Sequence, residues 1–329
     1  MHNVEASVGA DGSLHVGERI IPPPVGISEA ARKCLATPMP NSPQPGPADK
    51  LAWKQLVEQF DRLFDPQADA LLASLPATVE TLAVGNCKVH LGVPNQMRHR
   101  ERAHLTIHGG AWVYLGGRYA MVEAARAAVE FGCPAYSVDY RMPPDHPFPA
   151  AVDDCLDAYR YVIERHDPQR TVISGASAGG NLAAAVTLKL RDAGLPLPAA
   201  VGMLTPALDL TRGGDTLYTN NGVDTVLRPF GNAVALYAGG APLDDPYLSP
   251  LFGDLNRGFP PAFLQSGTRD VLLSDTVRMH RALLRAGVPA ELHVWEAMPH
   301  GGFAMFGEPT PEDRELREAF VNFIDRQLG

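Results

Sequence analysis

Residues 171–184 read TVISGASAGGNLAA: a short β-type run, a turn of small residues, and the opening of a helical stretch that Gly194 closes. At the junction stands Gly175-Ala176-Ser177-Ala178-Gly179, a G-x-S-x-G sequence. Glycine on either side of Ser177 lets a strand turn into a helix so tightly that the serine hydroxyl is presented at the top of a sheet. As a bare pattern this arises often by chance, and its bland reading is a Gly/Ser turn. The strand before it and the helix after it are the context that gives it weight.

A serine hydroxyl becomes a nucleophile only beside a base, and the base needs an orienting carboxylate. After such a turn both should follow in the order acid, then histidine, each on a loop beyond a late strand. Asp270 follows the run AFLQSG after Thr268-Arg269, and His300 follows AELHVWE after Ala297-Met298-Pro299. Singly, Asp270 has a blander reading as a cap of the next helix, although Ser274 and Asp275 are better placed for that, and His300 as an ordinary loop histidine among 11, set apart by its place between Pro299 and Gly301-Gly302 beyond a strand end. In order behind Ser177 they read as a set. Acyl transfer also needs N–H donors for an oxyanion. His108-Gly109-Gly110-Ala111-Trp112 follows the strand AHLTI and offers Gly109 and Gly110 for that task, with the N–H of Ala178 beside the nucleophile. Trp112, Tyr114 and Phe303 are expected to line an apolar pocket, although core packing explains such aromatics equally well.

From residue 79 onward, β-type and helical runs alternate. VETLAV and CKVHLGV read as a hairpin around Gly85-Asn86, and AHLTIH, PAYSVDY, AAVGMLT, AFLQSG and AELHVWE as further strands. Between the last two, SDTVRMHRALLRAG reads as a helix with Ser274 as its cap and Gly287 as its stop, and EDRELREAFVNFIDRQL as the last helix. This order implies an α/β fold with a mostly parallel central sheet covered by helices on both faces.

Two regions break the rhythm. Residues 1–78 carry proline-rich pieces, IPPPV (21–25) and PMPNSPQPGP (38–47), around a short helix capped by Ser28 and a second helix from about Leu51 to Phe64. Residues 207–258 are too long for an ordinary connection. Both are expected to build a helical cap on a catalytic domain spanning residues 79–329.

The 329 residues are 45% hydrophobic and 20% charged, enough for a large core. The formal net charge of −9 and the lack of a basic run make nucleic acid and anionic membrane poor partners. Cys34, Cys87, Cys133 and Cys155 are scattered, as expected of reduced thiols in a cytoplasmic protein. There is no leader pattern and no continuous apolar run of about 18 residues. Metal-ligand spacings and nucleotide-binding glycine motifs are also missing, so no cofactor is expected.

Several blocks, taken together, resemble the bacterial hormone-sensitive-lipase-like esterases, an α/β-hydrolase family. They are HGGAW (108–112), DYRMPPDHPFPAAVDD (139–154), GASAGGNLAA (175–184), DPYLSPLFGDL (245–255) and SGTRDVLLSD (266–275). The resemblance spans roughly residues 80–328, with IPPPVGISEAARKCLA (21–36) similar to the lead-in of that family's lid. It implies an α/β-hydrolase fold, no cofactor, and hydrolysis of small-molecule esters with short or medium acyl chains. It also implies a Ser177–Asp270–His300 triad with Gly109, Gly110 and Ala178 as oxyanion hole, Asp139 and Tyr140 as braces of the HGG loop, and a homodimer through AELHVWE. The chain departs from the family at Ala176, where Asp or Thr is usual, and at Ala111, where the third glycine of HGGG stands. The alternative is a lactonase or other acyl hydrolase using the same triad on a cyclic or amide substrate; a non-catalytic ligand-binding protein on a hydrolase scaffold is disfavoured because all three triad residues are present.

Overall fold

The computed structural model describes residues 6–39, 43–228, 230–304 and 307–329. The chain begins with a small antiparallel hairpin, β1 (Ala6–Val8) and β2 (Leu14–Val16), exposed along both strands. Two helices follow, α1 (Glu29–Leu35) and α2 (Lys50–Ser74). The remainder runs β3 (Ala77–Val84), β4 (Cys87–Pro94), β5 (Ala103–Ile107), α3 (Arg118–Phe131), β6 (Ala135–Asp139), α4 (Ala150–Ile163), β7 (Thr171–Ala176), α5 (Ala178–Asp192) and β8 (Ala200–Leu204). It closes with α6 (Thr216–Thr219), α7 (Gly231–Ala238), β9 (Ala262–Gly267), α8 (Leu273–Arg285), β10 (Ala290–Trp295) and α9 (Pro311–Leu328).

Eight strands form one sheet in the order β10-β9-β8-β7-β5-β6-β4-β3. Only the β3–β4 and β4–β6 pairs are antiparallel. The rest are parallel, as the alternation of strands and helices requires. Successive strand residues point to opposite faces, so each strand feeds two cores. Ile173, Val201 and Leu264 pack with Val152 of α4, Leu182 and Val186 of α5, and Leu283 of α8. Their neighbours Val172, Ala200 and Phe263 pack on the other side with Phe131 of α3 and Phe320, Phe323 and Ile324 of α9. Burying each such Val, Leu, Ile or Phe side chain stabilises the fold by about 1.5–3 kcal/mol.

The expected α1 is present, with Ser28 Oγ accepting from the Ala31 N–H at 3.1 Å. The second helix differs from expectation. It reaches Ser74 with Pro66 inside it, because its last turns have a surface to cover: Ala68, Leu71 and Leu72 pack on Tyr119 and Val122 of α3. Ser274 is not a cap. It lies within α8, where its Oγ accepts from Thr216 N at 3.0 Å and its N–H donates to Thr216 Oγ1, tying α8 to α6. Of the proline-rich stretch 38–47, residues 40–42 lie outside the described residues.

Candidate active site

Ser177 sits at the junction of β7 and α5 with φ 57° and ψ −118°, a backbone state that L-residues rarely adopt. The turn is tight because its glycines allow it. A Cβ on Gly175 would come within 2.4 Å of the Gly179 backbone, and one on Gly179 within 1.9 Å of the Ile107 carbonyl oxygen. The Ser177 N–H donates to Leu204 O at 2.8 Å, which fixes the turn to β8.

His300 and Asp270 arrive on the loops after β10 and β9, as the chain order predicts. His300 Nε2 is 2.8 Å from Ser177 Oγ, and His300 Nδ1 is 3.0 Å from Asp270 Oδ1. Asp270 is wholly buried, and its carboxylate is further held by Ser266 Oγ at 2.7 Å and the Leu272 N–H at 2.9 Å. Burial works against a charged His300 imidazole. The charge and hydrogen bond of Asp270, with the charge of Asp224, outweigh it and leave the histidine above its ordinary value.

The HGGAW loop closes over the serine. A Cβ on Gly109 would lie 2.9 Å from Ala176 O and 3.4 Å from Ser177 Cβ, a measure of how near this backbone comes to the elbow. The N–H groups of Gly109, Gly110 and Ala178 have no hydrogen-bond partner among the described residues. Tyr140 Oη donates to His108 O at 3.2 Å, its ring stacks on that of His108, and Asp139 Oδ1 accepts from Gly117 N at 2.9 Å. Asp139 and Tyr140 thus hold both ends of the loop.

A cavity of about 590 Å³ opens over Ser177, within the ~300–1,000 Å³ usual for small-molecule sites. Leu56, Phe60 and Phe64 of α2, with Tyr114 and Leu115, line it on one side. It continues along the sheet past Thr106, Ser174 and His104. Of the three aromatics expected in the pocket, only Tyr114 lines it. Trp112 turns away on a positive φ of 61° and stacks on Tyr237 with centroids 4.7 Å apart. Phe303 packs with Ile27, Ala31, Ala297 and Met298 instead.

Residues 104–304 match the model of a family described by its alpha/beta hydrolase fold. The chain belongs to the α/β-hydrolase family. Among its relatives, an acetyl-hydrolase of Streptomyces hygroscopicus is 34% identical over 290 residues, covering 85% of this chain and 90% of that one. The carboxylesterase NlhH of Mycobacterium tuberculosis is 37% identical over 237 residues, covering 67% and 72%. Among solved structures, the esterase E25 superposes with a TM-score of 0.85 at 33% identity, over 95% of this chain and 98% of that one. An esterase of the bacterial hormone-sensitive lipase family gives a TM-score of 0.76 at 30% identity, over 92% and 99%.

In this α/β hydrolase two further features near the serine carry no sequence motif. One is the polar floor of the cavity, where His104 Nε2 meets Ser174 Oγ at 2.6 Å and burial holds the imidazole down to about 3. The alternation of AHLTIH contains that signal, since His104 and Thr106 must share one face of β5. The other is Asp224, in the stretch between α6 and α7, fully buried beside His300. No motif marks it.

Proposed function

We propose that Ser177, His300 and Asp270 carry out the hydrolysis in this carboxylesterase through an acyl-enzyme on Ser177. The Ser177–His300–Asp270 hydrogen-bond chain supports this reading above all. Asp270 holds the Nδ1–H tautomer, leaving Nε2 to take the serine proton as Oγ attacks the ester carbonyl. The negative charge passes to the carbonyl oxygen, which the N–H groups of Gly109, Gly110 and Ala178 receive. His300 then gives its proton to the departing alcohol, and the same base activates the water that releases the acid.

The apolar wall that α2 gives the cavity favours aliphatic acyl groups of short or medium length. The reading of residues 1–78, which reach the first residues of β3, and residues 207–258 as a cap is supported by the packing of Trp53 of α2 with Ala233 and Leu236 of α7. Among the described residues no helix is long and apolar enough to cross a membrane. The four cysteines carry no disulfide, which fits a cytoplasmic location. β10 ends the sheet with Val294 exposed, which fits a homodimer paired along that edge.

The test is steady-state release of p-nitrophenol from acetate, butyrate, octanoate and palmitate esters. Turnover is expected to peak at the shorter chains and to fall roughly 10⁴-fold or more in Ser177→Ala. Turnover near wild type in a folded Ser177→Ala protein would contradict the assignment.

A further inference from the structure

Asp224 is distant in sequence from the loops that carry Asp270 and His300, yet it is fully buried between them. Its two oxygens are divided among three segments. Oδ1 accepts from Val226 N at 2.9 Å and Leu227 N at 3.1 Å on its own turn, and from His300 N at 3.4 Å. Oδ2 accepts from Val271 N at 3.1 Å, the residue directly after Asp270. Asn220, four residues earlier, adds a second tie by donating its side-chain amide to Asp270 O at 2.8 Å and Thr268 O at 3.2 Å.

We infer that Asp224 is a positioning residue for the His300–Asp270 pair, a second carboxylate that locks both loops and stabilises the imidazolium formed in the transition state. The inference rests on the triad reading above. His300 is neutral when it accepts the serine proton and cationic immediately afterwards. A negative charge nearby in a water-poor site lowers the energy of the second state more than that of the first. Asp270 does this through Nδ1, and Asp224 from the backbone side of the same residue. Burial, with the charge of Asp270, raises the Asp224 carboxyl from its ordinary value, while His300 and the N–H groups of Val226 and Leu227 oppose that shift and favour the carboxylate. Among the described residues, two further charged side chains are engaged by the segments around this corner. Arg228 directs a guanidinium N–H to the Asp224 carbonyl oxygen at 3.1 Å, and Asp313 is engaged by the N–H groups of Phe303 and Ala304. Ser177 lies on the far side of the ring.

A mere loop staple would affect folding but not the basicity of His300, and a pH profile separates the two roles. Asp224→Asn keeps the size and one acceptor oxygen but removes the charge. The expected result is a kcat for p-nitrophenyl butyrate lowered roughly ten-fold with KM little changed. The acid limb of kcat/KM should move to lower pH by about half a unit, as loss of a stabilising charge demands. Asn220→Ala, which loosens the same loop without removing charge, should leave that limb where it is. The pH dependence of phenylmethanesulfonyl fluoride labelling, mapped by peptide mass, provides a substrate-independent readout. Labelling of wild type anywhere but Ser177 would defeat the triad reading, whereas labelling at Ser177 with an unmoved limb in Asp224→Asn would overturn the role of Asp224. Asp224→Glu retains the charge and should restore the limb towards wild type. Failure of both Asp224 variants to fold would assign the residue to the fold alone and also overturn the proposal.

Discussion

His300 is held above the ordinary 6.5 of imidazole, and the general base must be neutral. Activity should therefore be complete at high pH and lost as pH falls through a midpoint above 6.5, measurable as the acid limb of kcat/KM; a midpoint below 6.5 would contradict the influence of the Asp270 and Asp224 charges. Gly109→Ala places a methyl 2.9 Å from Ala176 O and pushes the donor backbone off the serine. It should lower kcat by about 10²–10³-fold with the fold intact, the loss typical of one oxyanion donor. Wild-type kcat in that variant would remove the HGGAW loop from the mechanism. Ser177, Asp270 and His300 are legible in the chain because their order and their places at strand ends are properties of the sequence itself. Trp112 and Phe303 lie outside the expected pocket for a physical reason. Proximity in sequence to the HGGAW and His300 loops does not fix which way a side chain points, and the left-handed backbone at Trp112 sends its ring into the core. Asp224 is illegible because its partners come from two distant loops.

Among the elements, α2 shows most clearly where sequence reading stops. Its first turns are amphipathic and visible, but its continuation through Pro66 depends on a docking surface that only the folded α3 supplies. Trp53 anchors the other end: it is fully buried, its Nε1 donates to Gly46 O at 3.1 Å, and it packs on Val113, Ala233 and Leu236. Trp53→Ala should cost about 3–5 kcal/mol of local packing. With α2 loosened over the cavity, KM for butyrate and octanoate esters should rise several-fold while kcat falls much less. A rise confined to unfolding behaviour, with KM unchanged, would remove α2 from substrate binding.

For the fold as a whole, the alternation of strand and helix was enough to give the sheet and its two covering layers, whereas the β1–β2 hairpin, two three-residue strands whose apolar Val8, Leu14 and Val16 stay exposed, is too short to be read from alternation. The stability of the whole chain should vary with pH through Asp275, which is buried beneath the turn at Leu208 and Asp209 and accepts both of their N–H groups. Burial, with the charge of Asp209, raises this carboxyl to about 7 despite those bonds. Because the folded value lies above the unfolded one, ionisation costs stability: the penalty is absent below the ordinary carboxylate range and complete above about pH 7. Asp275→Asn should match wild type near pH 4 and be the more stable protein at pH 8 by calorimetry; an identical slope in both would refute the buried-charge assignment. The acyl-enzyme on Ser177 is tested by acid-quenched mass spectrometry of the protein during turnover of p-nitrophenyl butyrate. The expected result is a single butyryl adduct mapped to Ser177 and absent from Ser177→Ala. Turnover with no adduct, or with the acyl group on another residue, would contradict it.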